Sequence, residues 1–269
     1  MKKIFFILSS LIILFGGGCN QVDVTNPQLT YKEYIVVRAE LQAYKFFDGV
    51  TFTKTLPISE AYDIKKAELK DVTVYLKINN VQVVPLHYTQ NGIYLPLSDV
   101  MIQPGYTYEL YGKENNTYIY SKTIVPQTPT VLSGSVAEDT YINAVVSPHA
   151  NEGYGAKWVV FNPNSNTEID NANDFQTIVN TSQDTISSLT IRTLDLPDKY
   201  RTSTYSNSLY VQVYAYDAQY QAYFNSRNNN QPVSNSFVQG GDQVVWNVYG
   251  NNVIGLFIGM NVSNYIKAR

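Results

Sequence analysis

From residue 34 onward the sequence alternates apolar and polar residues over short stretches broken by turn signals, and no long segment carries the period of a helix. Residues 34–41 (YIVVRAEL), 51–56 (TFTKTL) and 72–78 (VTVYLKI) read as strands. Asn79-Asn80 supplies the positive-φ positions of a two-residue hairpin turn into 81–86. With 92–95, 106–111 and 117–125 this makes about seven strands, the pattern of an immunoglobulin-like or fibronectin-like sandwich. Pro126 and Pro129 each push the preceding residue toward extended backbone, which places a domain boundary there.

The remainder again reads as strands, at 131–136, 142–146, 157–161, 185–193, 208–216, 243–248 and 255–260. One short helix is expected at 217–227, where Asp217 can cap and Ala218, Ala222 and Tyr223 favour one face. The expected fold is therefore all-β with two β-sandwich domains: 31–126, immunoglobulin/fibronectin-like, and 127–269, β-rich with one short helix. The polar stretches 162–174 and 228–236 are too long for simple hairpin connections, and recognition usually sits on such loops. Tyr220, Tyr223 and Phe224 lie just before the second stretch and form a candidate binding surface. The competing reading is that these rings dock the helix onto the sandwich.

Cys19 is the only cysteine, and it ends an N-terminal export signal. Lys2 and Lys3 form a basic n-region, and 4–15 is an apolar run too short to span a bilayer, which takes about 20 residues. Gly16, Gly17 and Gly18 then lead into Cys19. This resembles a bacterial lipoprotein signal, in which a peptidase cuts before a cysteine linked to diacylglycerol; Gly16 stands where most such signals carry Leu. The alternative is an ordinary secretory signal that contains a cysteine. Lipidation would divide the chain into a signal at 1–18 and a tether at 19–30, and several acyl chains at about 0.8 kcal/mol per buried CH₂ would hold it to a membrane. With Cys19 so used, the folded part has no thiol for a disulfide, a metal site or a nucleophile. Stability must come from packing.

Removing Lys2 and Lys3 from the 19 basic residues leaves 17 against 22 acidic ones, a formal charge of about −5. That mild acidity, with no basic run, argues against nucleic acid as a partner. Tyrosine is in excess at 23 residues, which suits both half-buried sheet surfaces and recognition surfaces. Composition alone does not choose between them.

The order of short motifs resembles a Bacteroidota outer-membrane lipoprotein family, domain of unknown function 4249. The residues that carry it are Ile35-Val36-Val37, VTFTKTLPI at 50–58, KDVTVYLKI at 70–78, Gly92-Ile93-Tyr94, IQPGYTYEL at 102–110, TIVP at 123–126 and NVYGNNVIGLFIG at 247–259. Asp71-Val72 replaces a usual alanine, and Asn251-Asn252 stands where the family favours glycine. The resemblance implies an accessory lipoprotein beside a TonB-dependent transporter, lipid-anchored in the outer membrane on its periplasmic or surface-exposed face.

Motifs for catalysis are nearly absent from the sequence. His87 and His149 stand on either side of the expected boundary, in no spacing suited to a metal site or triad. There is no G-x-S-x-G elbow, phosphate-cradling glycine loop or HExxH. Glu168, Asp170, Asn171, Asn173 and Asp174 offer hard oxygen ligands, but lack the register of a Ca²⁺ loop and read as a solvated loop. The expectation is a non-enzymatic binding or accessory module without cofactor or metal. The alternative is a cell-surface adhesin or structural lipoprotein whose sandwiches act as spacers.

Overall fold

The computed structural model describes residues 31–57, 59–181, 187–229 and 244–268. The signal, Cys19, the tether and most of the 228–236 stretch lie outside the described residues. The first seven strands are β1 (Ile35–Gln42), β2 (Val50–Lys54), β3 (Thr73–Ile78), β4 (Gln82–Gln90), β5 (Ile93–Pro96), β6 (Thr107–Glu114) and β7 (Thr117–Ile124), with one turn of helix, α1 (Ile64–Ala67), between β2 and β3. They follow the expected segments because each alternates inward apolar with outward polar residues: Val74, Leu76 and Ile78 of β3 are buried, and Thr73 and Tyr75 are exposed. Asn79 and Asn80 do take positive φ, 47° and 60°, and turn β3 into β4.

The second set comprises β8 (Thr130–Ala137), β9 (Tyr141–Ser147), β10 (Glu152–Phe161), β11 (Glu168–Asn171), β12 (Val179–Asn180), β13 (Leu189–Arg192), β14 (Leu209–Asp217), β15 (Val248–Tyr249), β16 (Val253–Val262) and β17 (Ile266–Lys267). The expected helix is present as α2 (Gln219–Asn229), and Asp217 Oδ1 accepts from Gln219 N at 3.0 Å, the expected cap. β11 occupies part of the expected 162–174 loop. It is a polar edge strand beside β10, so it carries no alternation to reveal it.

The fold is all-β and sandwich-like, with two cores. One packs Val37, Leu41, Phe52, Leu76, Leu110 and Ile119 from β1 to β7. In the other, the three-stranded sheet β13-β9-β8 covers one face of β10 and β14, burying Ile142, Val146, Tyr154, Trp158, Val211 and Val213.

The chain does not divide at 126/127, contrary to the expectation of two sequential domains. β16, near the C-terminus, pairs in parallel with β1 along its whole length, from Ile35↔Val253 to Gln42↔Met260. It then pairs with β14 at Tyr214↔Val262 and Tyr216↔Met260, so one 14-stranded sheet runs through both cores. Val248, Val253 and Phe257 belong to the first core, and residues 33–269 form one compact unit. β16 (VIGLFIGMNV) is an apolar run because it is covered on both faces over much of its length. Its glycines mark close approaches: a Cβ on Gly259 would lie 2.7 Å from the Ile124 carbonyl oxygen and 2.8 Å from Val125 Cα.

The junction at 123–128 is clamped and not a free connector. Asp217 Oδ2 accepts from Ile124 N at 2.7 Å, Glu152 Oε1 accepts from Gln127 N at 2.9 Å, and Asn261 Nδ2 donates to Pro126 O at 3.1 Å. All three anchoring side chains are buried polar groups, on β14, β10 and β16 respectively.

Candidate functional site

The outward face of β1 begins the candidate site. Strand alternation turns Val37, Ala39 and Leu41 into the first core and leaves Val36, Arg38 and Glu40 on the opposite face. Register sets Arg38 between Thr51 of β2 and Leu256 of β16, and Glu40 beside Ile258. These residues floor a cavity of about 760 Å³. Asp48, Gly49 and Ile93 border it, together with Tyr220, Tyr223 and Arg227 of α2 and Trp246.

The aromatic wall is held in place by specific contacts. α2 is anchored by Phe224, which is 2 % exposed and packs with Phe175, Tyr216, Ile258 and Met260 in a third cluster on the outer face of β14 and β16. Tyr220 stacks on Tyr216, with centroids 4.0 Å apart and an interplanar angle of 18°. Tyr223 lies 5.7 Å from Tyr220 and 5.5 Å from Trp246, tilted by 42° and 37°. Both neighbours of Trp246 are fixed. Val245 N donates to Ser226 Oγ at 2.9 Å; Asn247 accepts from Phe257 N at 2.9 Å and donates to Phe257 O at 2.6 Å. In this way the Asn247 side chain takes the place of a strand partner for β16, and the strand expected over 243–248 is reduced to β15.

Opposite charges meet in the groove without pairing off. The side chains of Arg38, Glu40 and Asp48 make no hydrogen bond or ion pair with any described residue. Glu40 is exposed by area but stands in a concavity, where the surrounding protein and then Asp48 push its carboxyl above the ordinary value, against the pull of Arg38, Lys45 and Lys157. Burial raises the Tyr220 hydroxyl to about 12. Arg227 donates to both oxygens of Asp174, at 2.6 and 2.8 Å, over the ring of Phe224, while its Nε is buried and without a partner among the described residues.

Of the three aromatics singled out in the sequence, Tyr220 and Tyr223 line the groove. Phe224 belongs to no surface, because the helix needs one ring to pack into the sheet. Arg38, Glu40, Asp48 and Trp246 were not legible as site residues: a charged pair two apart on a strand is the ordinary mark of a solvated face. The acidic 168–174 segment is dispersed into separate pairs, Glu168 with Tyr265, Asp170 with Lys199 and Tyr200, Asp174 with Arg227. His87 on β4 and His149 before β10 are both exposed and on different cores. Among the described residues no group of three or more His, Cys, Asp or Glu is placed to hold a metal ion.

A second feature accounts for part of the tyrosine excess. Pro85, Tyr75, Tyr111, Tyr120 and Tyr249 stand directly opposite one another on β4, β3, β6, β7 and β15, forming one row across the outer face of the first sandwich. The rings are 5.0, 5.1 and 6.4 Å apart along the row.

No family model and no curated protein matches the sequence. A similarity search among solved structures gives "Biofilm associated protein - BSP domain", 13 % identical, covering 88 % of this chain and 29 % of that one, with a TM-score of 0.22. A score this low carries no argument about fold or function.

Proposed function

We propose that the chain is a non-enzymatic, ligand-binding lipoprotein, anchored in the outer membrane through lipid on Cys19 and accessory to a TonB-dependent transporter. The observation that carries the binding part is the groove, where unpaired charges of both signs converge on an aromatic wall within a volume of about 760 Å³. Small-molecule sites span roughly 300–1,000 Å³ and place a few polar groups among apolar ones. The anchor rests on Lys2, Lys3, the apolar run at 4–15 and Cys19, and the transporter partnership on the motif order given above.

Affinity isolation of the full-length protein from detergent-solubilised outer membranes tests this reading. A β-barrel receptor is expected to co-purify, and Cys19→Ala is expected to lose palmitate labelling. Unchanged labelling in that variant removes the anchor; isolation without a barrel removes the partnership. The exposed tyrosine row favours a second reading, a cell-surface adhesin or structural lipoprotein, which expects pilus or matrix proteins in the same isolation.

A further inference from the structure

We infer that the groove's ligand is a neutral oligosaccharide chain, stacked along Tyr220, Tyr223 and Trp246 and hydrogen-bonded through Arg38, Glu40 and Asp48. This rests on the binding reading above and names its ligand class. The first argument is charge. An anionic ligand entering the groove would face Glu40 and Asp48, and a cationic one would face Arg38. Like-charge encounters of that kind cost binding energy. Sugar hydroxyls both donate and accept, so one uncharged chain satisfies the two carboxylates and the guanidinium together.

The second argument is the wall. Successive ring centroids lie 5.7 and 5.5 Å apart, comparable to the advance of one pyranose unit, with adjacent rings tilted by 42° and 37°. The electron-rich faces of such rings attract the polarised C–H groups of a sugar. The third is the set of idle polar groups. The hydroxyls of Tyr220 and Tyr223 and the indole N–H of Trp246 have no hydrogen-bond partner among the described residues, and unmet donors beside a stacking surface are what a hydroxyl-rich ligand would use. The wall is also rigid before any ligand arrives: Phe224 and the stacked Tyr216–Tyr220 pair fix α2, and Ser226 and Asn247 fix the chain around Trp246, so little ordering entropy is lost on binding.

The test is titration calorimetry of the full-length protein in a detergent without a sugar headgroup. The probes are linear neutral hexasaccharides of glucose, mannose, xylose and N-acetylglucosamine, with hexagalacturonate as the anionic and hexalysine as the cationic control. At least one neutral chain is expected to bind, with an affinity nearly unchanged by added salt and reduced about tenfold or more in Tyr223→Ala and in Trp246→Ala. Binding untouched by both substitutions overturns the assignment of the site. Binding of a charged control alone overturns the ligand class and leaves the groove reading standing. If no probe binds, the ligand class falls.

Discussion

Asp217 reaches across 94 residues to Thr123: its Oδ2 accepts from Thr123 Oγ1 at 3.1 Å, in addition to the Ile124 amide, while Oδ1 caps α2. One buried carboxylate therefore ties the last strand of the first sandwich to the strand and helix that carry the groove's wall. Asp217→Ala would leave the buried Thr123 hydroxyl and the half-buried Ile124 and Gln219 amides without this acceptor, and a buried orphan costs about 1–3 kcal/mol. A loss of about 3 kcal/mol is expected from urea unfolding, with a single transition retained because both cores share one sheet. Two separated transitions in the wild-type protein would contradict that coupling.

Gly259 tests the same junction from the other side. A Cβ there would strike the Ile124 carbonyl, and that atom is backbone and cannot swing away. Gly259→Ala is expected to cost about 1–3 kcal/mol. For the same reason a fragment covering 31–126 lacks the parallel partner of β1 and the Val248, Val253 and Phe257 side chains of its core. It is expected to show no cooperative thermal transition.

Tyr223 and Phe224 are neighbours on α2 with opposite expected outcomes. Phe224 fills the space between helix and sheet, so Phe224→Ala should cost about 3–5 kcal/mol. Tyr223 lines the groove and is half-buried, so Tyr223→Ala should leave the melting temperature nearly unchanged. A large loss at Tyr223 would mark it as a packing residue.

Glu152 gives a pH signature. Burial is the largest influence on it and raises its carboxyl above the ordinary value, outweighing the hydrogen bonds from Tyr154 and Gln127 that pull it down. A raised folded-state value means the folded protein holds this proton more tightly than the unfolded chain, so the contribution is present below the unfolded value, about 4.3, and is lost as pH rises through the folded one. Relative to Glu152→Gln, which cannot titrate, the wild type should gain stability as pH falls from neutral toward that lower value. Urea unfolding of both proteins along that range checks the sign; a constant difference would show that Glu152 titrates normally.

In the tyrosine row, Tyr111 touches Tyr75 on one side and Tyr120 on the other. Aromatic pairs add about 0.5–1.5 kcal/mol each beyond area burial, so Tyr111→Ala should cost more than Tyr249→Ala, which removes one terminal contact. Equal losses in thermal unfolding would mean that the stacking contributes nothing.

What the sequence determined by itself is local. Period-two alternation fixed which residues of β1, β3 and β6 face the core, Asn79-Asn80 fixed a hairpin because two adjacent positive-φ positions fit little else, and Asp217 fixed the start of α2. The polar edge strand β11 escaped because pairing at a sheet edge asks for no particular side chain. Only the tertiary structure decided that residues 253–260 belong beside 35–42, because a parallel strand pairing leaves no turn between its partners to read. That one pairing undoes the division at Pro126. It also builds the groove, since Arg38 and Glu40 come from one end of the chain and α2 and Trp246 from the other. Alternation says that a side chain points outward; which distant residues it meets there is settled by sheet order and register, which no short segment encodes.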